Sequence, residues 1–183
     1  MLQVSQPDDV PLELEAGLAA LVRRAQAGDR DAFGELYIRH VRVVHGIVLA
    51  HGADADPADI VHDVFLTALD RLHTLRDPAA FGSWLAAIAR NAAHMSRRRR
   101  IRLVSLPESI PAPPHEAPEL DGATVLAAIR SLPEAYRETL VLRLVEGMSG
   151  QEIALRTGLT PGSVRVNLHR GMALLREKLE RLR

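Results

Sequence analysis

A proline-rich segment divides this sequence into two parts of unequal length. From Val104 to Gly122 the chain reads VSLPESIPAPPHEAPELDG, with five prolines and no helical spacing of apolar residues. Proline lacks a backbone N–H and restricts the residue before it, so this segment is expected to be extended and solvated. We therefore predict two domains, 18–103 and 123–183, joined by the linker 104–122 and loosely oriented in the free chain.

Both parts carry the apolar spacing of α-helices. Apolar residues recur at intervals of three and four in at least six segments, and no alternating strand pattern accompanies them in the sequence. Three acidic residues, Asp29, Asp56 and Asp77, each precede such a segment, and proline directly follows the last two. The sequence thus predicts an all-α fold in which these residues cap the second, third and fourth helices.

The C-terminal part contains the spacing of a helix-turn-helix. The predicted short helix Ser149 to Thr157 includes the small residue Ala154, Gly158 can adopt the positive φ of the turn, and Val164 can pack between the two helices. An ordinary helical hairpin is the alternative, although it requires none of these three features. In DNA-binding proteins the second helix lies in the major groove, so its exposed early residues are candidates for contacts with bases and phosphates. They are Ser163, Arg165, Val166, Asn167, His169 and Arg170.

Charge is unevenly distributed although the total is zero. Residues 1–80 have a net charge of −6, whereas 81–103 contain 6 Arg and no acidic residue. The run Arg97 to Arg102 suits phosphates and unstacked bases because guanidinium groups are planar donors. A solvated helix end that complements the helix dipole is the alternative interpretation of this run.

Several classes of protein are disfavoured. The chain has no Cys, which excludes disulfides, thiolate nucleophiles and Cys-based zinc sites. Pairs such as His62 with Asp63, or His40 with His45, do not have the spacing of metal ligands on one helical face, so we predict no metal site. No phosphate-binding glycine loop or nucleophile motif is found in the sequence, so we predict no enzyme, no cofactor and no small-molecule substrate. With neither a signal peptide nor an apolar stretch of about 20 residues, a cytoplasmic location is expected.

Three stretches together resemble a known family. They are DADPADIVHDVFLTAL at Asp54 to Leu69, FGSWLAAIARNAAHMSRRRR at Phe81 to Arg100, and the segment from Leu132 to Leu179 that contains the helix-turn-helix. The chain resembles the bacterial sigma factors of the extracytoplasmic-function (ECF) group over nearly its whole length after Leu18. The resemblance implies a sigma region 2-like domain for core RNA polymerase and the minus-ten promoter element, a linker, and a sigma region 4-like domain for the minus-thirty-five element.

The resemblance also implies partners and site residues. Core RNA polymerase would be bound through the β′ clamp helices and the β subunit, promoter DNA through both domains, and an anti-sigma factor would inhibit the protein. The residues implied for core binding are Asp59, His62, Asp63 and Thr67, and those for the minus-ten element are Leu75, Arg76, Arg90, Asn91, Arg97, Arg98, Arg99 and Arg100.

Two other functions stay open from the residues alone. One is a helix-turn-helix transcriptional regulator that acts without binding the polymerase core. The N-terminal half of such a regulator would need a ligand cavity or a dimer face. The N-terminal half of this chain offers instead an acidic face, which includes Asp59 and Asp63, and a basic helix end. The other is a small helical adaptor whose basic patches have no role in DNA binding.

Overall fold

Eight α-helices form the protein within the part of the chain that the structure describes. The computed structural model describes residues 12–51, 56–103 and 122–182, with the side chains of 17–51, 56–98 and 122–182. No strand occurs among these residues, which confirms the predicted all-α fold. The helices are α1 Leu12–Gln26, α2 Arg30–Ala50, α3 Pro57–Arg71, α4 Phe81–Leu103, α5 Gly122–Arg130, α6 Glu134–Leu144, α7 Gly150–Thr157 and α8 Pro161–Glu180. The linker predicted at 104–122 lies outside the described residues except for Gly122, the first residue of α5.

The aspartates predicted to cap the second and third helices do so, whereas the one predicted to cap the fourth helix does not. The Asp29 carboxylate accepts a hydrogen bond from Ala32 N at 3.0 Å, and Asp56 accepts one from Ala58 N at 2.9 Å. Asp77 instead caps a separate 3-10 turn, Pro78–Ala80, and α4 begins only at Phe81. The backbone bond from Ala80 N to Asp77 O is the i to i+3 type, which tightens this first turn.

We call α1 to α4 the N-terminal half and α5 to α8 the C-terminal half. The core of the N-terminal half is built around α2. This helix packs against α1, α3 and α4 and is followed in sequence by α3. Its inner face contributes Leu36, Val44 and Ile47, each with 0% of its surface exposed, and Phe81 of α4 is equally buried. Burial of an aliphatic or aromatic side chain of this size contributes about 1.5–3 kcal/mol. Aliphatic side chains therefore fill this core, although the sequence has few aromatic residues.

The predicted helix-turn-helix is present as α7 and α8. Ser149 and Glu152 form a reciprocal capping box at the start of α7, with Ser149 N donating to Glu152 Oε2 at 2.8 Å. Gly158 has φ +75°, the left-handed conformation that the turn requires. Val164 of α8 is 1% exposed and belongs to the core, so the spacing argument is confirmed.

The two halves pack against each other, contrary to the loose arrangement that the linker predicts. Helix α6 lies against α2, and α7 lies against both α4 and α2. Leu142, Met148 and Ile153 of the C-terminal half are buried in the same cluster as the core of the N-terminal half. The difference has a physical cause: apolar surface on α6 and α7 that the C-terminal half leaves uncovered is removed from water by the N-terminal half. We call this the closed arrangement.

His40 makes the stability of the fold depend on pH. Its side chain is buried beside the Phe81 ring, and its Nδ1–H donates to the Leu36 carbonyl at 2.9 Å. Burial lowers the pKa of His40 to about 4 from 6.5, with Arg156 and Arg39 acting in the same direction. The unfolded chain therefore binds a proton at this position at a higher pH than the folded chain does. Below about pH 6.5 this difference destabilises the fold, increasingly down to about pH 4.

We expect the free energy of unfolding to fall by about 3 kcal/mol from this group between pH 7 and pH 4. Urea unfolding at several pH values will measure it, and His40→Gln should flatten the pH dependence because glutamine does not titrate. The exposed His73→Gln variant is the control and should keep the wild-type slope. An unchanged slope in His40→Gln would assign the effect to other groups.

Candidate functional site

An acidic face of α3 is exposed to solvent. Asp59 and Asp63 lie one helical turn apart beside His62, and all three are exposed, while Thr67 at the end of this face is half-buried. Within the described residues neither aspartate pairs with a cation. The opposite face of α3 is buried through Ile60, Val61, Val64, Phe65 and Ala68. The helix therefore presents two free carboxylates on a support that is anchored in the core.

The segment between α3 and α4 is held by α1. After α3 a 3-10 turn spans Leu72–Thr74, and the Gln26 side-chain amide donates to Leu72 O at 3.0 Å and to Leu75 O at 2.8 Å. Arg76 is exposed, as a DNA-contacting residue must be. Leu75 is only 8% exposed and belongs to the core cluster, so its side chain does not face an open pocket here.

Arg90 is paired across the boundary between the halves. Its Nε donates to Glu138 Oε1 at 2.6 Å and its Nη2 to Oε2 at 3.1 Å, which is the bidentate geometry of strong charge-assisted pairs. The neighbouring Asn91 is exposed, as are Arg97 and Arg98 further along α4. The side chains of Arg99 and Arg100 lie outside the described residues. In the structure Arg90 is therefore paired, whereas Arg97 and Arg98, which the family resemblance groups with it, are exposed.

Glu138 is the acidic residue at the centre of this boundary. It is 8% exposed and also accepts a hydrogen bond from His51 Nε2 at 2.7 Å. Burial alone would raise the pKa of Glu138, but hydrogen bonds from His51 and Arg90 outweigh it and hold the pKa below its usual value. A second acidic residue, Glu146, accepts from His45 Nδ1 at 2.8 Å and bonds to Arg42. The carboxylate groups of Glu138 in α6 and of Glu146 after its C-terminal end therefore join the halves.

Sequence reasoning missed these boundary residues, although one signal was available. Glu138 lies three and four residues before Val141 and Leu142, both fully buried, so it occupies the apolar face of α6. A charged residue on such a face requires a buried partner. The partner itself, Arg90, is 48 residues away, and only the tertiary structure reveals it.

The second helix of the helix-turn-helix exposes its early polar residues. Thr160 caps α8 through a bond from Ser163 N at 3.1 Å, and Pro161 begins the helix. Asn167 is half-buried. The other five residues predicted to contact DNA have exposed side chains, namely Ser163, Arg165, Val166, His169 and Arg170. Neither Arg165 nor Arg170 is in an ion pair within the described residues. Both guanidinium groups are free to meet phosphates or base edges.

Two family models match separate parts of this chain. A family model for sigma-70 region 2 matches residues 36–103, and one for sigma-70 region 4 matches residues 123–175. RNA polymerase sigma factor CarQ of Myxococcus xanthus is 32% identical over 170 residues, which cover 88% of this chain and 97% of that protein. ECF RNA polymerase sigma factor SigE of Mycolicibacterium smegmatis is 31% identical over 185 residues, 95% of this chain and 70% of that protein.

The chain belongs to the ECF sigma factor family. Sigma factors of this kind bind core RNA polymerase and direct promoter-specific initiation of transcription, and they are DNA-binding regulators rather than enzymes. Every helix in the described part of this sigma factor is too short or too polar to traverse a lipid bilayer.

Solved structures show the same fold. The structure of CnrH in complex with the cytosolic domain of CnrY has 27% sequence identity to this sigma factor and a TM-score of 0.60, covering 89% of this chain and 97% of that one. The sigma factor RpoE in complex with the anti-sigma factor NepR from Bartonella quintana has 22% identity and a TM-score of 0.53, with coverage of 81% and 96%. Both structures were solved with a second protein bound.

Proposed function

We propose that the two halves of this sigma factor divide promoter recognition between them. The acidic face of α3, Asp59 to Thr67, docks on the clamp helices of the β′ subunit, and the β subunit receives the C-terminal half. The observation that carries this proposal is the pair of free carboxylates on α3 together with the free guanidinium groups on α8. Each set lies on a helix fixed by the core, as a precise binding surface requires.

The minus-ten element is assigned to α4 and the segment before it. Arg76, Asn91, Arg97 and Arg98 form the accessible part of this surface, and Leu75, Arg90, Arg99 and Arg100 complete it by family resemblance. In the closed arrangement Glu138 occupies the Arg90 guanidinium that DNA would otherwise contact. We therefore propose that the halves separate when the sigma factor joins polymerase and promoter.

An anti-sigma factor is a further proposed partner. The basic end of α4 and the exposed face of α8 are accessible on this chain, and an inhibitor that covers either would block DNA binding without any catalytic step. The two neighbouring structures, each solved with a partner protein, support the proposal. Polymerase and chromosome meet in the cytoplasm, so we propose that the protein acts there.

One assay distinguishes this function from the alternatives. The purified full-length chain is mixed with core polymerase, passed through a sizing column, and tested for initiation from a promoter that core alone cannot use. Co-elution with promoter-dependent transcripts supports a sigma factor that works as proposed. A regulator that acts without the core would bind promoter duplex but not co-elute, and an adaptor would do neither.

Arg165→Ala should weaken binding to the minus-thirty-five element. An arginine that reads bases contributes about 1–3 kcal/mol of discrimination, while one that contacts phosphate changes mainly the salt dependence. We expect Arg165→Ala to lose discrimination between bases, and Arg170→Ala to lower the salt slope by about one unit. Fluorescence anisotropy with promoter duplexes at several salt concentrations will measure both.

The matched control is Arg181→Ala, because Arg181 is an exposed arginine near the other end of the same helix and pairs with Glu177. Its promoter affinity should equal that of the wild type. If Arg165→Ala and Arg170→Ala bind every duplex as tightly as the control does, α8 does not read the groove.

A further inference from the structure

Three side chains from distant parts of the sequence meet at the boundary between the halves. His51 caps the C-terminal end of α2, His94 lies on α4, and Glu134 begins α6. Glu134 Oε1 is 3.8 Å from His51 Nδ1 and 3.6 Å from His94 Nε2. All three atoms lie within 4.8 Å of one another. Two imidazole nitrogens and one carboxylate oxygen therefore converge on one point.

The buried Nδ1 of His51 lacks a hydrogen-bond partner among the residues that the structure describes. The His51 side chain is 0% exposed, and the 3.8 Å distance from Nδ1 to Glu134 Oε1 is too long for a hydrogen bond. Leaving a polar atom in this state costs free energy, so buried nitrogens are normally satisfied by a donor, an acceptor or an ion. His51 Nδ1 is directed toward the other two groups and is free to accept a ligand bond.

The other nitrogen of His51 is fixed in the way that metal-binding histidines usually are. His51 Nε2–H donates to Glu138 Oε1 at 2.7 Å, and Arg90 holds that carboxylate from the other side. A carboxylate bonded to the distal nitrogen fixes the ring orientation and the tautomer and makes the free nitrogen a better ligand. The outer contacts of a metal site are therefore already present.

We propose that His51 Nδ1, His94 Nε2 and Glu134 bind a divalent transition metal, with Zn²⁺ the best match, at the junction of the two halves. Two histidines and a carboxylate suit zinc, which binds nitrogen and oxygen at about 2.0–2.2 Å in a tetrahedral site. Side chains of His94 and Glu134 are 45% and 57% exposed, so they can rotate inward, and solvent can supply the fourth ligand. Glu134 is the only one of the three from the C-terminal half.

The metal acts as a clamp on the closed arrangement. A ligand that binds only one conformation stabilises it by a free energy that grows with the logarithm of the ligand concentration over the dissociation constant. Closing the halves also pairs Arg90 with Glu138, which covers part of the proposed minus-ten surface. The clamp thus opposes promoter binding, a consequence that rests on the proposed function, whereas metal binding itself does not.

Zinc titration of the tag-free, metal-free full chain tests the site. In competition with a chromophoric chelator, we expect one Zn²⁺ per chain. His94→Ala and Glu134→Gln should each lose more affinity than the roughly 10- to 100-fold typical of removing an outer-shell partner, and Glu138→Gln should fall within that range. His73→Ala, which removes an exposed histidine elsewhere, is the matched control and should bind as the wild type does.

Two readouts separate a metal site from an ion-paired cluster. Co²⁺ in place of Zn²⁺ should give visible absorption bands of a four-coordinate site that His94→Ala lacks, and Zn²⁺ should raise the Tm of the wild type but not of Glu134→Gln. Zinc binding that none of the three variants weakens overturns the proposal. Binding no tighter than millimolar also overturns it, and His51, His94 and Glu134 would then be a polar cluster without an ion. Because these measurements need neither polymerase nor promoter, they can succeed or fail independently of the sigma function.

The clamp can be measured directly since the chain has no Cys of its own. Single cysteines at exposed positions in each half, Asp70→Cys and Glu177→Cys, carry a donor and an acceptor dye. Zn²⁺ should narrow the distance distribution in the wild-type background and leave it unchanged with Glu134→Gln. A distribution that broadens, or does not respond in the wild type, overturns the clamp.

Discussion

Replacing Asp59 and Asp63 together with arginine is expected to abolish binding of this sigma factor to core RNA polymerase. Both carboxylates are exposed and unpaired within the described residues, and they lie one turn apart on the face of α3 that points away from the core. Reversing two charges removes the carboxylates through which α3 is proposed to dock and replaces them with cations. Loss of a close charge contact at an interface costs about 2–5 kcal/mol, which is roughly 30- to several thousand-fold in affinity.

Fluorescence anisotropy of labelled protein with core polymerase will measure the loss, and circular dichroism should show an unchanged helical fold. The matched control reverses Asp31 and Glu35, an exposed pair at the same spacing on α2. If the control loses core affinity to the same extent, general electrostatic repulsion is responsible rather than a docking face. Wild-type affinity in the Asp59 and Asp63 variant would remove α3 from the polymerase interface.

Substituting Gly46 and Gly82 by alanine is expected to force the halves apart. A Cβ atom at Gly46 would lie 2.6 Å from Leu142 Cδ2, and one at Gly82 would lie 2.7 Å from the Arg156 carbonyl oxygen. The second contact is with backbone, which cannot rotate away. Overpacking of this kind costs typically about 1–3 kcal/mol at each position, so the double variant should lose about 2–6 kcal/mol of closure.

Gly34→Ala provides the control because Gly34 is also within α2 but has nothing within 4 Å of its Cβ position. Alanine there should stabilise the helix by about 0.5–1 kcal/mol and leave the halves closed. Small-angle scattering should show a larger radius of gyration only for the Gly46 and Gly82 variant, and single-stranded minus-ten DNA should bind that variant more tightly. An unchanged radius would mean that the boundary adjusts to both methyl groups.

Local features of the sequence were sufficient for much of the fold. Asp29, Asp56 and Thr160 were predictable as caps because each bonds to a backbone N–H two or three residues away. The turn at Gly158 was predictable for the same reason, since its constraints lie within one short segment. The shift of α4 to Phe81 was not, because a capping aspartate followed by proline starts a 3-10 turn as well as an α-helix.

Contacts between distant segments were not predictable. Arg90 is identified by family resemblance as a DNA-contacting residue, yet only folding places Glu138 against it. His51, His94 and Glu134 looked like scattered residues because each comes from a different helix. Leu75 illustrates the reverse case, since a loop position that the resemblance assigns to the minus-ten element is buried in the core. Sequence periodicity reports which face of a helix is apolar, not which helix covers it.

The Gln26 amide couples the segment before α4 to the position of α1. Both of its N–H groups are used on the carbonyls of Leu72 and Leu75, so the shape of that segment depends on where α1 lies. Moving α1 would remove one donor from each carbonyl at once: Leu72 O would keep the bond from Leu75 N, whereas Leu75 O would have to find water or a new partner. A protein that binds α1 could thereby reshape the proposed minus-ten loop, 49 residues away, without contacting the loop or the DNA.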